Sequence, residues 1–248
     1  MKPLLLALLL SLLFPLQAGQ ENLLERGRRI YLDSCASCHG ISGRGDGLVA
    51  ANLFVKPRDF TLGRYKIKST ADGELPLHED LYTTIGFGMG QRNSMPAWAA
   101  MSSGDRQAVL AYIKSLYPRF AEEADAALKI IPLPLIEPLI TSETIRRGQK
   151  LYDDLECWKC HGYDGSGNGP SSAALVDGKG NKISPPDLSK PWLFIRGSSR
   201  MDLYQTINIG IAGSAMPSLN DIIADEMIWD LVDFLYHEFV HIGELAPR

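Results

Sequence analysis

Two copies of the pattern Cys-x-x-Cys-His, about 120 residues apart, constrain this chain more than any other feature. Cys35-Ala36-Ser37-Cys38-His39-Gly40 follows Gly27-Arg28-Arg29-Ile30-Tyr31, and Cys157-Trp158-Lys159-Cys160-His161-Gly162 follows Gly148-Gln149-Lys150-Leu151-Tyr152. A glycine-rich loop comes after each cluster, at residues 43–47 and 165–169. Pro57-Arg58-Asp59-Phe60 then answers Pro186-Asp187-Leu188, and Asp80-Leu81-Tyr82-Thr83-Thr84-Ile85 answers Asp202-Leu203-Tyr204-Gln205-Thr206-Ile207. Ser94-Met95-Pro96 matches Ala215-Met216-Pro217, and residues 111–117 match 230–236. Two copies of one domain is the economical reading, and 248 residues is the length of two domains rather than one.

Each copy reads as a helix, a glycine loop, a helix-poor middle and a second helix, so the fold class is all-α. Apolar spacing predicts helices over 21–32 and 144–155, and again over 105–117 and 222–239, the last with Asp221 as its N-cap. The domains span 19–120 and 142–248. Between them lies a linker, 121–141, in which Pro132, Pro134 and Pro138 fix φ and disfavour helix, giving a stiff connector. Residues 1–18 read as a secretory signal peptide: Lys2, an apolar run over 4–14, Pro15, and cleavage after Ala18. The alternative is an uncleaved membrane anchor, but that run is short of the ~20 residues that span a bilayer, so the expected mature protein is periplasmic or otherwise exported, without a membrane span.

Cys-x-x-Cys-His is the attachment signature of c-type haem, in which both thiols add to the porphyrin vinyl groups and the adjacent imidazole meets the iron. Two disulfides would leave each following histidine unexplained, and one shared zinc site would have to join separate copies. A thioredoxin-like pair needs a strand–helix context that is missing. The expected cofactors are therefore two covalently bound haems, held by Cys35 and Cys38 and by Cys157 and Cys160, with His39 and His161 on the irons. Met95 lies 56 residues after His39, and Met216 lies 55 after His161, each followed by proline. At matching repeat positions they read as sixth ligands, whereas Met89 and Met101 have no counterpart.

With these residues in place, the chain resembles a dihaem cytochrome c made of two class I cytochrome c domains, over nearly all of residues 20–248. The resemblance implies thioether attachment, His/Met ligation and terminal helices packed together beside each haem. It also implies a loop carbonyl that accepts from each axial histidine Nδ1; Pro170 suits that role in the second copy, with Leu48 at the equivalent place in the first. Two six-coordinate irons leave no place for substrate, which implies an electron carrier, free or as a subunit of a respiratory oxidoreductase, rather than an enzyme. The alternative is a dihaem peroxidase with one iron opening to substrate. The partners are a redox donor and acceptor or a larger complex.

Charge bears on partners only. The net charge of −4 speaks against nucleic acid. Residues 20–120 carry 13 basic and 10 acidic residues, whereas residues 142–248 carry 10 and 15, so the halves differ in sign. His237-Glu238-Phe239-Val240-His241 matches a zinc-protease pattern but sits in a terminal helix without a third ligand, and reads as coincidence. Arg58 suits a propionate partner in the first copy, though the repeat does not support it. The second copy carries an insertion around 177–183, either a partner surface or an idle loop.

Overall fold

In the computed structural model, residues 22–89 and 95–241 are described, and among them β structure is confined to two isolated bridges, Thr70 with Ile130 and Val176 with Lys182. The expected signal segment lies outside the described residues. The first half contains α1 (Leu23–Ser34), α2 (Ala36–His39), α3 (His78–Phe87), α4 (Ser103–Ser115) and α5 (Arg119–Glu122); the second contains α6 (Ser142–Asp154), α7 (Trp158–His161), α8 (Arg200–Ile209) and α9 (Asp225–Leu235). Side-chain caps set the starts of α1, α4 and α6. The Asn22 side chain accepts from Glu25 N, Ser102 from Asp105 N, and Thr141 from Thr144 N, each quieting an orphan amide.

The helices of each half close by one device. Gly27 lies so near Ala108 O that a Cβ there would stand 1.9 Å from it, and Gly148 meets Asp230 O at the same 1.9 Å. Glycine lets the backbones of α1 and α4, and of α6 and α9, touch where they cross. The contact also corrects the register of the repeat. Ala108 and Tyr112 correspond to Asp230 and Phe234, three residues away from the match of 111–117 with 230–236 read from sequence. A further residue is taken up by a π-helical turn, Tyr236–Val240, so that Phe239 packs on Gly165 as Leu116 packs on Gly43. Single inserted residues inside helices take this form.

Two expectations are corrected. The middles are not helix-poor, because α3 and α8 occupy them and bury Leu81 and Ile85, and Leu203 and Ile207. Their β-branched residues hide the apolar stripe, but the Ser199–Asp202 capping box was a usable signal. Asp221 is not the cap of α9, whose N-cap is Ala224; Asp221 sits at φ 64° and its carboxylate pairs with Lys129 at 3.2 Å.

The stretch after α5 packs on the first half before it leaves it. Leu128 and Ile131 are buried, Lys129 O accepts from Ala71 N, and Ile131 N donates to Ser69 O at 2.9 Å. The insertion at 177–183 joins the two halves. It closes on itself through Asp177 N to Asn181 O, 2.8 Å, and its tip reaches across. Lys179 Nζ pairs with the buried Asp59 carboxylate at 2.7 Å and donates to Arg44 O at 2.7 Å. Burial alone would raise the Asp59 pKa, but Lys179 and the Thr61 hydroxyl and amide outweigh it and hold the carboxyl below its ordinary range. Lys179→Ala is expected to lower the stability of the docked pair by about 1 kcal/mol, since Lys179 is partly exposed and the bond is screened. Small-angle scattering should then show a larger radius of gyration; an unchanged radius would mean that the insertion does not hold the halves together.

Candidate functional site

Each Cys-x-x-Cys-His segment forms a single helical turn. His39 N donates to Cys35 O at 2.9 Å, and His161 N to Cys157 O at 3.0 Å. One turn puts both thiols and the imidazole on one side, facing a cavity. The glycine loop then folds back against that turn: Gly45 N donates to His39 O and Gly47 N to Cys38 O, while Gly167 and Gly169 repeat both bonds to His161 and Cys160. At Gly40 and Gly162 φ is +81° and +77°, values that side chains resist, and the Tyr31 and Tyr152 hydroxyls donate to their carbonyls at 2.7 and 2.6 Å.

The structure brings each predicted set together. Cys35, Cys38, His39 and Met95 line one cavity, of about 230 Å³, with Trp98 at its wall. Cys157, Cys160, His161 and Met216 line a second, of about 680 Å³, which extends into the junction of the halves. Met89 N donates to Met95 O, and Ile211 N to Met216 O, both at 3.1 Å, so the two methionines are structural equivalents. Met89 also lines the first cavity, whereas Met101 packs in the core. The four cysteines are unbridged and half-buried. Burial pushes the Cys35 and Cys157 thiols up to about 11. It pushes the His161 imidazole down to about 4 and lowers His39 as well, so both rings are neutral near pH 7, the form that binds a metal.

The partner of the histidine Nδ1 is not the one expected. In the first half, His39 Nδ1 donates to Arg58 O at 3.0 Å, and the His39 ring stacks on Phe60 at 4.4 Å; Leu48 is almost fully exposed. In the second half, His161 Nδ1 is buried with no partner among the described residues, so Pro170 does not serve. Loop hydrogen bonds fix the register of the two copies at this point. Phe60 N donates to Gly43 O and Leu188 N to Gly165 O, which aligns Arg58 with Pro186, one position off the sequence match.

Other candidates fall away from the cavities. The His237–His241 pattern lies on the π-turn, where His237 Nδ1 contacts its neighbour Glu238 at 3.0 Å, and among the described residues no cluster of His, Cys, Asp or Glu is arranged to hold a metal ion. Trp229 stacks on Tyr204 in the second core and Trp158 on Tyr163, which are packing roles. No helix among the described residues is long and apolar enough to cross a membrane.

Residues 22–113 match the family model of cbb3-type cytochrome c oxidase subunit III, and residues 145–237 match that of cytochrome c. A chain of the reducing HAO-like protein complex of Kuenenia stuttgartiensis has the same fold, with a TM-score of 0.81 and 34% identity over 88% of this chain and 98% of that one. The cbb3-type cytochrome c oxidase subunit CcoP of Helicobacter pylori is 24% identical over 153 residues, 60% of this chain. This chain spans 41% of that relative's length.

Proposed function

From the premise that the chain belongs to the dihaem cytochromes c, with two cytochrome c domains in tandem and two covalently bound haems, we propose that it carries electrons between redox partners in the periplasm. In this reading residues 1–18 are a cleaved signal, 19–120 and 142–248 are the domains, and 121–141 joins them. Cys35 and Cys38 hold one haem and Cys157 and Cys160 the other. His39 with Met95, and His161 with Met216, would hold the two irons.

The residues present fit that group. A neutral buried imidazole and a thioether line each cavity together with the thiol pair, and the second cavity is walled by Leu155, Leu203, Ile207 and Leu231. Bound haem supplies one-electron chemistry at iron. The chain's own part is to fix the imidazole through Arg58 O in the first domain, to exclude water with apolar walls, and to favour the ferrous form with a thioether. The observation that carries the proposal is that residues 55–58 line both cavities, so one short stretch of backbone stands between the two cofactor sites. Such proximity suits electrons entering by one domain and leaving by the other.

The partners are proposed as a redox donor and acceptor, or a larger oxidoreductase complex in which this chain is the electron-transfer subunit. The HAO-like complex chain and the oxidase subunit are both named as parts of assemblies, which supports the second form. The expected result of haem quantitation with low-temperature EPR is two haems per chain, both ferric low-spin. A high-spin signal from one haem in the purified protein would overturn the carrier and favour the dihaem peroxidase.

A further inference from the structure

Arg58 belongs to the first domain, yet its two ends serve different places. Its carbonyl accepts from His39 Nδ1 inside the first domain. Its side chain crosses the junction: Nη1 packs against Gly213, where a Cβ would lie 3.1 Å away, in the loop that leads to Met216. Arg58 lines the second cavity together with His161 and Met216. The Arg58 side chain is partly buried at the junction, and burial lowers its pKa; Asp177, the largest opposing influence, acts through space, as does Asp59. Neither carboxylate is free to pair with it. Asp59 is taken by Lys179 and Thr61, and Asp177 by Asn181 and the backbone amides of its own loop. A partly buried guanidinium that lines a cavity and has no bonded carboxylate of its own chain is placed to meet an anionic group there.

We propose that Arg58 binds a propionate of the second domain's haem, so that one residue of the first domain serves both cofactors, one through its carbonyl and the other through its guanidinium. The inference rests on the proposed haem sites. A planar guanidinium suits a carboxylate through two parallel hydrogen bonds. This cross-domain role differs from the one the sequence suggested, a propionate of the first haem. Pro186, at the equivalent position of the second copy, has no such side chain, so the bridge runs one way.

The prediction is selective. Residue 58 bonds the first haem's histidine through its carbonyl, which any residue supplies, so Arg58→Gln should shift the first potential much less than the second. It should lower the second, because a positive charge near iron favours the ferrous state. The expected shift is about tenfold in the ferrous-to-ferric ratio, about 59 mV for one electron. To tell the haems apart, the titration is run in a Cys35→Ala background. One vinyl of the first haem then stays unreacted and conjugated, which displaces its α-band, and Cys157→Ala gives the reciprocal label. Arg58→Lys, which keeps the charge and loses the paired geometry, should restore most of the potential. A shift in the first haem alone, or none in either, overturns the proposal. Should Arg58→Gln fail to load both haems, Arg58→Lys carries the test by a smaller shift confined to the second haem. Haem content and spin state are read on the same samples, so a failure of the haem sites is seen separately from a failure of this bridge.

Discussion

Gly148→Ala is expected to prevent the second domain from closing. A methyl at this position would sit 1.9 Å from Asp230 O and 2.7 Å from Phe234 Cβ, and the first of these is backbone in the middle of α9. Elsewhere in a helix the same change is stabilising by about 1 kcal/mol, because alanine has less backbone freedom to lose. Here the helices must separate by more than an ångström, along an interface that buries Leu151, Tyr152, Ile228 and Leu231. Overpacking of an ordinary core costs about 1–3 kcal/mol, and a clash between two backbones exceeds that range. Loss of the second domain's cooperative melting transition and of haem in its site is the expected readout. Gly104, in the first turn of α4 with nothing within 4 Å of a built Cβ, is the control. Gly104→Ala should raise the melting temperature slightly. Equal effects from the two substitutions would show that the crossing does not depend on glycine.

Met216→Ala is expected to change spin state rather than fold. Met216 is only partly buried against the second core, so truncation leaves the helices intact. On the proposed ligation it removes the thioether that favours ferrous iron, and the second haem becomes high-spin ferric with a lower potential. A tenfold or greater fall in its ferrous-to-ferric ratio is expected, at least about 59 mV for one electron. Rescue from a neighbour is not expected, because the place of Met89 is taken in this half by Ile211. In the first half the comparison is sharper, since Met89 and Met95 line the same cavity. There Met95→Ala should open the iron and Met89→Ala should not. An EPR spectrum of Met216→Ala that remains wholly low-spin would remove Met216 from the ligand set.

Much of this was legible because its signals are local. The Cys-x-x-Cys-His turns, the glycine loops at residues 43–47 and 165–169, and the tyrosines at 31 and 152 act within one short stretch of chain, where residue type dictates conformation. The equivalent positions of Met95 and Met216 also followed from comparing the two copies. The helices α3 and α8 were missed because Thr83, Thr84 and Ile85, and Thr206 and Ile207, are β-branched residues that read poorly as helix, and tertiary packing overrides that preference. The one-residue slip at Arg58 lies beside the length difference between the copies, and the three-residue slip in the terminal helices came from matching similar side chains along a helix, where pattern matching has no physical anchor and backbone contacts do.

The sequence by itself determined that there are two cytochrome c domains, two covalent haems and an all-α fold, since each follows from residue type and spacing within one copy. Only the tertiary structure decided that Arg58 O, and not a residue of the nearer loop, holds His39, that the insertion at 177–183 grips Asp59, and that the Arg58 side chain enters the other domain's cavity. Those contacts join residues far apart in the chain, such as Asp59 with Lys179. Their partners are fixed by how the two domains meet, a geometry that spacing along either copy does not encode.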